Sequence, residues 1–192
     1  MYSLARLVIV RHGETVGESS IRYHGINDVE LSDLGRVQAE EARLSLLDDS
    51  FDELVASPLV RASETAALIA PGKSVHIETD FREVNFGRWE GLTQEEIAAL
   101  DPELHDEWQR NPQVFGYPGG ESRHEFRARV ERGLGRLLAG DARSVLLVAH
   151  KGVIRVLVGA LLGVELEPGE PQLGAVLRLA ARAGGGWRLA AG

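Results

Sequence analysis

The chain has 192 residues, 44% of them hydrophobic and 26% charged, with a formal net charge of −8 and no cysteine. That length and mixture fit one globular domain with a real core, and the missing cysteines exclude disulfides and thiolate chemistry. The negative charge argues against a nucleic-acid partner. The N-terminus lacks the basic segment and cleavage site of a signal peptide, and the most apolar later stretch, Val156 to Val164, is too short to span a bilayer, so a cytoplasmic protein with no membrane partner is expected.

In chain order, Leu4 to Val10 reads as a strand, Ser32 to Leu47 as a helix opened by its serine, Glu53 to Ala56 as a strand and Leu59 to Ala70 as a helix. Thr93 to Tyr117 differs: short helical pieces at "QEEIAAL" and "ELHDEWQR" are followed by Asn111, Pro112, Gly116 and Pro118. It reads as an excursion over the sheet, at about 93–121, where a lid or specificity segment could sit. Ser122 and Glu125 have capping-box spacing ahead of a helix over 122–139. Ser144 to Ala149 is a strand, Val153 to Leu162 a helix, and Gly174 to Ala181 and Trp187 to Ala190 flank "AGGG" as a closing hairpin. Strands alternating with helices predict a single α/β domain over 1–192, with a mainly parallel sheet covered on both faces. The basic residues are nearly all arginine, Lys73 and Lys151 being the lysines, a bias read as genome composition.

Two strands end alike, "LVIV" running into Arg11 and His12 and "VLLVA" into His150, Lys151 and Gly152. A third ends at Ser57 and Pro58 and places Arg61 in the first turn of its helix. Ligands of such sheets bind beyond the carboxyl ends of the strands, so the pattern predicts two imidazoles, two guanidiniums and a helix N-terminus in one pocket. Positive charge so concentrated suits a compact dianion such as phosphate. Singly, a histidine after a strand is more often a hydrogen-bonded structural residue than a catalyst; repetition at a second strand end favours a site. A metal held by His12, His150 and Glu14 or Glu83 is a poorer reading, because the arginines would repel a cation.

The segments "RHGET" (11–15), "RYHGINDVELSDLGRVQA" (22–39), "SPLVRASETA" (57–66), "FREVNFGRWEGL" (81–92), "PGGES" (118–122) and "VAHKGVIR" (148–155) together resemble the ordered motifs of the histidine phosphatase superfamily, the phosphoglycerate mutase-like proteins. The resemblance implies a three-layer α/β/α sandwich. It implies a metal-independent phosphomonoester hydrolase with no cofactor, acting on a small-molecule substrate through a phosphohistidine on His12. Arg11, Arg61 and His150 would clamp the phosphoryl oxygens, and Glu83 would protonate the leaving oxygen and later activate water. Thr15, Gly25 and Gly152 join them as substrate-binding candidates, and His24 matches a substrate-contacting position of the mutases. His12 must be neutral to attack, and the adjacent arginines should lower its pKa; Glu83 needs burial, for which Phe81, Phe86 and Trp89 are candidates.

The chain departs from the family at two points. Glu18 stands where many members carry an asparagine that donates to phosphate; the expectation is that Glu18 turns outward and Ser19 or Ser20 donates instead. Lys151 stands where a small residue is usual, either adding charge to the clamp or facing solvent, and mildly strained if the position needs a positive φ. Trp108 and Phe115 are expected to pack the excursion, Tyr117 to reach the pocket, and His76, His105 and His124 to lie elsewhere. Between Thr93 and Tyr117 the only arginine or lysine is Arg110, so the leaving-group side lacks the cations of a mutase, and the α-ribazole phosphatase and broad-specificity phosphatase branches fit better. The alternatives are phosphoglycerate mutase-type transfer and a non-catalytic phosphate-binding module. An edge strand or exposed helix could support a homodimer.

Overall fold

The computed structural model describes residues 4–190. Six strands form one sheet in the order β3-β2-β4-β1-β5-β6. They are β1 (Arg6–Arg11), β2 (Glu53–Ala56), β3 (Val75–Ile77), β4 (Ser144–Ala149), β5 (Val176–Ala181) and β6 (Trp187–Leu189). The first four run parallel, and the closing hairpin adds β5 antiparallel to β1 and then β6 antiparallel to β5. The sheet is therefore mixed and mainly parallel, as the alternation of elements predicts; β3, three residues long and largely exposed, had no signal in the sequence.

Alternation along the strands sorts the core into two layers. Leu7, Ile9, Val145 and Leu147 face one side and pack with Phe126 and Val130 of α5 (Arg123–Ala139) and with Val153, Ile154 and Leu157 of α6 (Lys151–Leu162). Val8, Val10, Leu146 and Val148 face the other side, with Ala39 and Ala42 of α1 (Asp33–Ser45) and Ala62 and Ala66 of α2 (Val60–Ile69). The central strands are buried on both faces, which explains why they read as unbroken apolar runs. Ser32 caps α1 by accepting from the Gly35 N–H, and Ser122 and Glu125 form the reciprocal capping box of α5. Among the described residues no helix is long and apolar enough to cross a membrane.

The segment after the fourth motif carries α3 (Gln94–Leu100) and α4 (Pro102–Arg110). It is pinned by aromatic packing: Trp89, fully buried, stacks on Phe115 with ring centroids 5.3 Å apart and meets Trp108 at 5.6 Å. The Trp89 Nε1–H donates to Asp101 at 2.6 Å, satisfying the one polar atom of the ring. Tyr117 belongs to this cluster rather than to the pocket. It lies edge-on to Phe86 and Phe115, and burial pushes its hydroxyl up to about 12.

Between β3 and α3 the chain runs as a strap across the sheet, and Arg129 of α5 fastens it. Its guanidinium donates to the carbonyls of Asp80 (2.8 Å), Arg82 (2.5 Å) and Glu83 (2.8 Å) and pairs with Glu121 at 2.8 Å, both side chains being largely buried. Replacing Arg129 by alanine leaves these acceptors unpaired in the interior. The expected loss in urea unfolding is about 3–5 kcal/mol, whereas an ordinary surface pair would cost under about 1 kcal/mol.

Candidate active site

Register brings the two histidines together. Arg11 of β1 is level with Ala149 of β4, so the next residue of each strand is a histidine, and the His12 N–H donates to the Ala149 carbonyl at 3.1 Å. The rings stand 5.0 Å apart between centroids. Ser57, following β2, donates its N–H to Val148 and lies beside His150, with Oγ 2.6 Å from Nε2. Three parallel strands thus deliver their ends to one place.

His12 is buried, and its Nδ1 lies 2.7 Å from the Gly13 carbonyl. A carbonyl can only accept, so Nδ1 carries the proton and Nε2 keeps the lone pair. Its pKa lies well below the usual 6.5, through burial first and then the charges of Arg61 and Arg11. Taking the ring out of water contributes more than the arginines, the one cause visible in the sequence. His150 is lowered in the same way, by burial and then by Arg61, and its Nδ1 is buried without a hydrogen-bond partner.

Arg61, almost wholly buried at the start of α2, donates to the carbonyls of His24 and Gly25 (both 2.7 Å) and Asn27 (2.8 Å). Burial lowers its pKa to about 10, which still leaves it charged at neutral pH. Arg11 donates to the Pro171 carbonyl at 2.7 Å, while its Nε is buried and unpartnered. Glu83 is buried within the strap: one carboxylate oxygen accepts from the Val84 N–H at 2.9 Å and the other from the Gly152 N–H at 3.0 Å.

Two glycine contacts set this geometry. A Cβ on Gly13 would meet the Gly35 carbonyl oxygen at 2.3 Å, so α1 packs its backbone directly on the turn after His12. A Cβ on Gly152 would meet the nearer Glu83 carboxylate oxygen at 2.5 Å and Phe126 at 3.1 Å.

A cavity of about 680 Å³ opens here, lined by Arg11, His12, Arg61 and Glu83 together with Ser19, Ser20, His24 and Lys151 of the sequence-derived candidates. His150, Thr15, Gly25 and Gly152 are not among its lining residues: His150 is buried with its ring beside that of His12, the Thr15 hydroxyl is buried without a partner, Gly25 offers its carbonyl to Arg61, and Gly152 holds Glu83. Glu18 points outward, at φ 65° and 3.6 Å from Arg22 Nε. The Ser19 hydroxyl is 2.9 Å from Glu14, which also accepts the N–H groups of Thr15 and Ser20 at 3.2 Å. Its proton is therefore committed, against the expectation that Ser19 donates to substrate, and Ser20 keeps an exposed hydroxyl at the cavity. Lys151 is the first residue of α6, so its backbone is helical and the strain entertained for it does not arise.

Sequence reasoning missed several contributors. Ser57 was noted only as a strand end; Glu90 ties the 25–27 turn through the N–H groups of Ile26, Asn27 and Phe86. Gly169, Gln172 and Leu173 line the cavity from a loop held by Arg155, which donates to the carbonyls of Leu166, Glu167 and Glu170. Ser57, Glu90 and Arg155 lie inside the quoted motifs, whereas Gly169, Gln172 and Leu173 carried no signal in the sequence.

Fold and site together define an α/β protein organised around a neutral histidine that lines a cavity with two arginines. The model of the histidine phosphatase superfamily (branch 1) matches residues 7–190, and the chain belongs to that family. It is 37% identical over 172 residues to a glucosyl-3-phosphoglycerate phosphatase of Mycolicibacterium vanbaalenii, covering 84% of this chain and 76% of the relative. To the adenosylcobalamin/alpha-ribazole phosphatase of Salmonella typhimurium it is 35% identical over 160 residues, 82% and 79% of the two chains. The crystal structure of the alpha-ribazole phosphatase from Shigella flexneri superposes with a TM-score of 0.84 at 30% identity, over 96% and 95% of the chains. Against other curated relatives the chain spans a smaller part, in one case 33% of the relative's length.

The unfolded chain protonates both imidazoles below about pH 6.5, whereas the folded protein holds them neutral further down. Stability is therefore fully present above about pH 6.5 and declines as pH falls below it, toward the depressed folded values. Urea midpoints should drop between about pH 7.5 and about pH 5, and His12→Gln should lower that slope by about one proton; an unchanged slope contradicts the assignment. Gly152→Ala should displace Glu83 and cut kcat by about tenfold or more, with a urea midpoint close to wild type.

Proposed function

We propose that the chain is a phosphomonoester hydrolase in which His12 is the nucleophile and Glu83 the acid and base. The observation that carries this reading is the tautomer of His12: the Gly13 carbonyl accepts a hydrogen bond from Nδ1–H and leaves the Nε2 lone pair for a cavity lined by Arg11 and Arg61. In the first step Nε2 bonds to phosphorus, the ester P–O bond breaks, and Glu83 gives a proton to the departing oxygen. In the second step water attacks the phosphohistidine, Glu83 takes its proton, the P–N bond breaks, and His12 returns neutral with phosphate released. Arg11, Arg61 and His150 hold the non-bridging oxygens; Arg11 Nε and His150 Nδ1, both buried and unpartnered, are the donors we assign to them. Charge stabilisation of this kind supplies most of the rate in phosphoryl transfer.

Residues 93–121 form the specificity segment of this single catalytic domain, contributing Gln94 and Glu95 to the cavity. The site's charge comes from side chains, so no metal is called on in either step.

Phosphate release from a panel of phosphomonoesters should persist in EDTA and fall about 10³-fold or more in His12→Ala. Glu83→Gln should slow alkyl phosphates by about 10²–10⁴-fold and aryl phosphates, whose leaving oxygens need less protonation, by less. Turnover in His12→Ala comparable to wild type would overturn the reading.

A further inference from the structure

The cations that line the cavity are not equally free. Arg11 donates to Pro171, Arg61 to three carbonyls, and Arg22 to the Gly91 carbonyl and to Glu96, with Glu18 also close. Lys151 is different. It is half-buried in the lining, yet among the described residues its ammonium donates no hydrogen bond and joins no ion pair. Lys73, the other lysine, is exposed and donates to the Phe51 carbonyl. Burial, and then the repulsion of Arg11 and Arg155, lowers its pKa, against the attraction of Glu83 and Glu170, with which it forms no pair. A partly desolvated ammonium with three uncommitted donors is costly unless something negative meets it.

Its position says which part of a substrate it would meet. Lys151 precedes Gly152, whose N–H holds the Glu83 carboxylate, the group assigned to the leaving oxygen. The lysine therefore enters the cavity from the turn that sets the leaving-group side, where Gly169, Gln172 and Leu173 continue the lining. The transferred phosphoryl already has Arg11, Arg61 and His150. The remaining cavity carboxylates, Glu83 and Glu95, make one uncommitted positive charge a match for a singly charged group rather than a second dianion.

We propose that Lys151 selects the leaving group by binding a carboxylate on it, so that the preferred substrates are phosphomonoesters of hydroxy acids. The proposal rests on the hydrolase reading above. It makes the departure from the family pattern at this position a specificity determinant.

The test compares 3-phosphoglycerate with glycerol 3-phosphate, which carry a carboxylate and a hydroxymethyl group at the same place. Wild type should prefer the carboxylate in kcat/KM, and Lys151→Met should shrink the preference about tenfold, mainly through KM. Lys151→Arg, keeping the charge, should hold most of it. A wild type with no preference, or a ratio unchanged in Lys151→Met because both esters lose equally or neither loses, overturns the proposal. If wild type hydrolyses neither ester, the phosphomonoester panel with His12→Ala decides the hydrolase reading separately. Lys151 is then judged by calorimetric binding of the two esters to His12→Ala with and without Lys151→Met, where a lost carboxylate preference supports the assignment and no preference at the outset refutes it.

Discussion

Holding two guanidiniums and two imidazoles within one small buried region is the problem around which this structure is arranged. The imidazoles respond by staying neutral, both with pKa values well below the usual histidine range. The guanidiniums cannot lose their charge so easily, and their solution is solvation by the backbone. Arg61 spends its donors on the carbonyls of His24, Gly25 and Asn27, so the same bonds that make its burial tolerable also fix the cavity wall. The 25–27 turn is gripped from its other side by Glu90, which collects N–H groups where Arg61 collects carbonyls. Electrostatic necessity and shape are thus the same set of contacts.

The device recurs away from the cavity. Arg129 gathers three carbonyls of the strap bearing Glu83, and Arg155 gathers three from the loop bearing Gly169 and Gln172. A planar fork can span several carbonyls in fixed directions, which an ammonium on a flexible stem does poorly. The excess of arginine over lysine, read from composition as a mark of the genome, has a structural use here: long loops without regular hydrogen bonding are organised by guanidiniums. Against that background the one cavity lysine stands out, because among the described residues its ammonium fastens nothing.

The strand ends were legible because their signal is local: an apolar run, a charged residue, a histidine and a glycine, repeated. The coming together of Arg11, His12, Arg61 and His150 follows from parallel strands without knowledge of any contact, whereas the order of the strands does not. The less legible parts share a cause. Glu90, Arg129 and Arg155 act on backbone atoms of distant segments, and an N–H or a carbonyl looks the same whichever residue carries it; Ser57 acts on the ring of His150, equally distant in sequence. Tyr117 was misplaced for a related reason: proximity to "PGGES" in sequence said nothing about the aromatic cluster, built from Tyr23, Phe86, Trp89, Trp108 and Phe115, that absorbs it.

Glu14 and Glu18 show how one loop accommodates an acidic residue where the family has an asparagine. Glu18 takes a left-handed backbone beside Gly17 and swings out to Arg22, removing its charge from the cavity. That conformation turns the chain so that the Ser19 hydroxyl and the Ser20 N–H converge on the buried Glu14 carboxylate. Glu14 in turn faces Arg11 electrostatically, helping to retain a guanidinium charge that burial works against. The substitution at position 18 therefore costs the site a donor but leaves its charge pattern intact, because the carboxylate that stays inside is the one already satisfied by the loop.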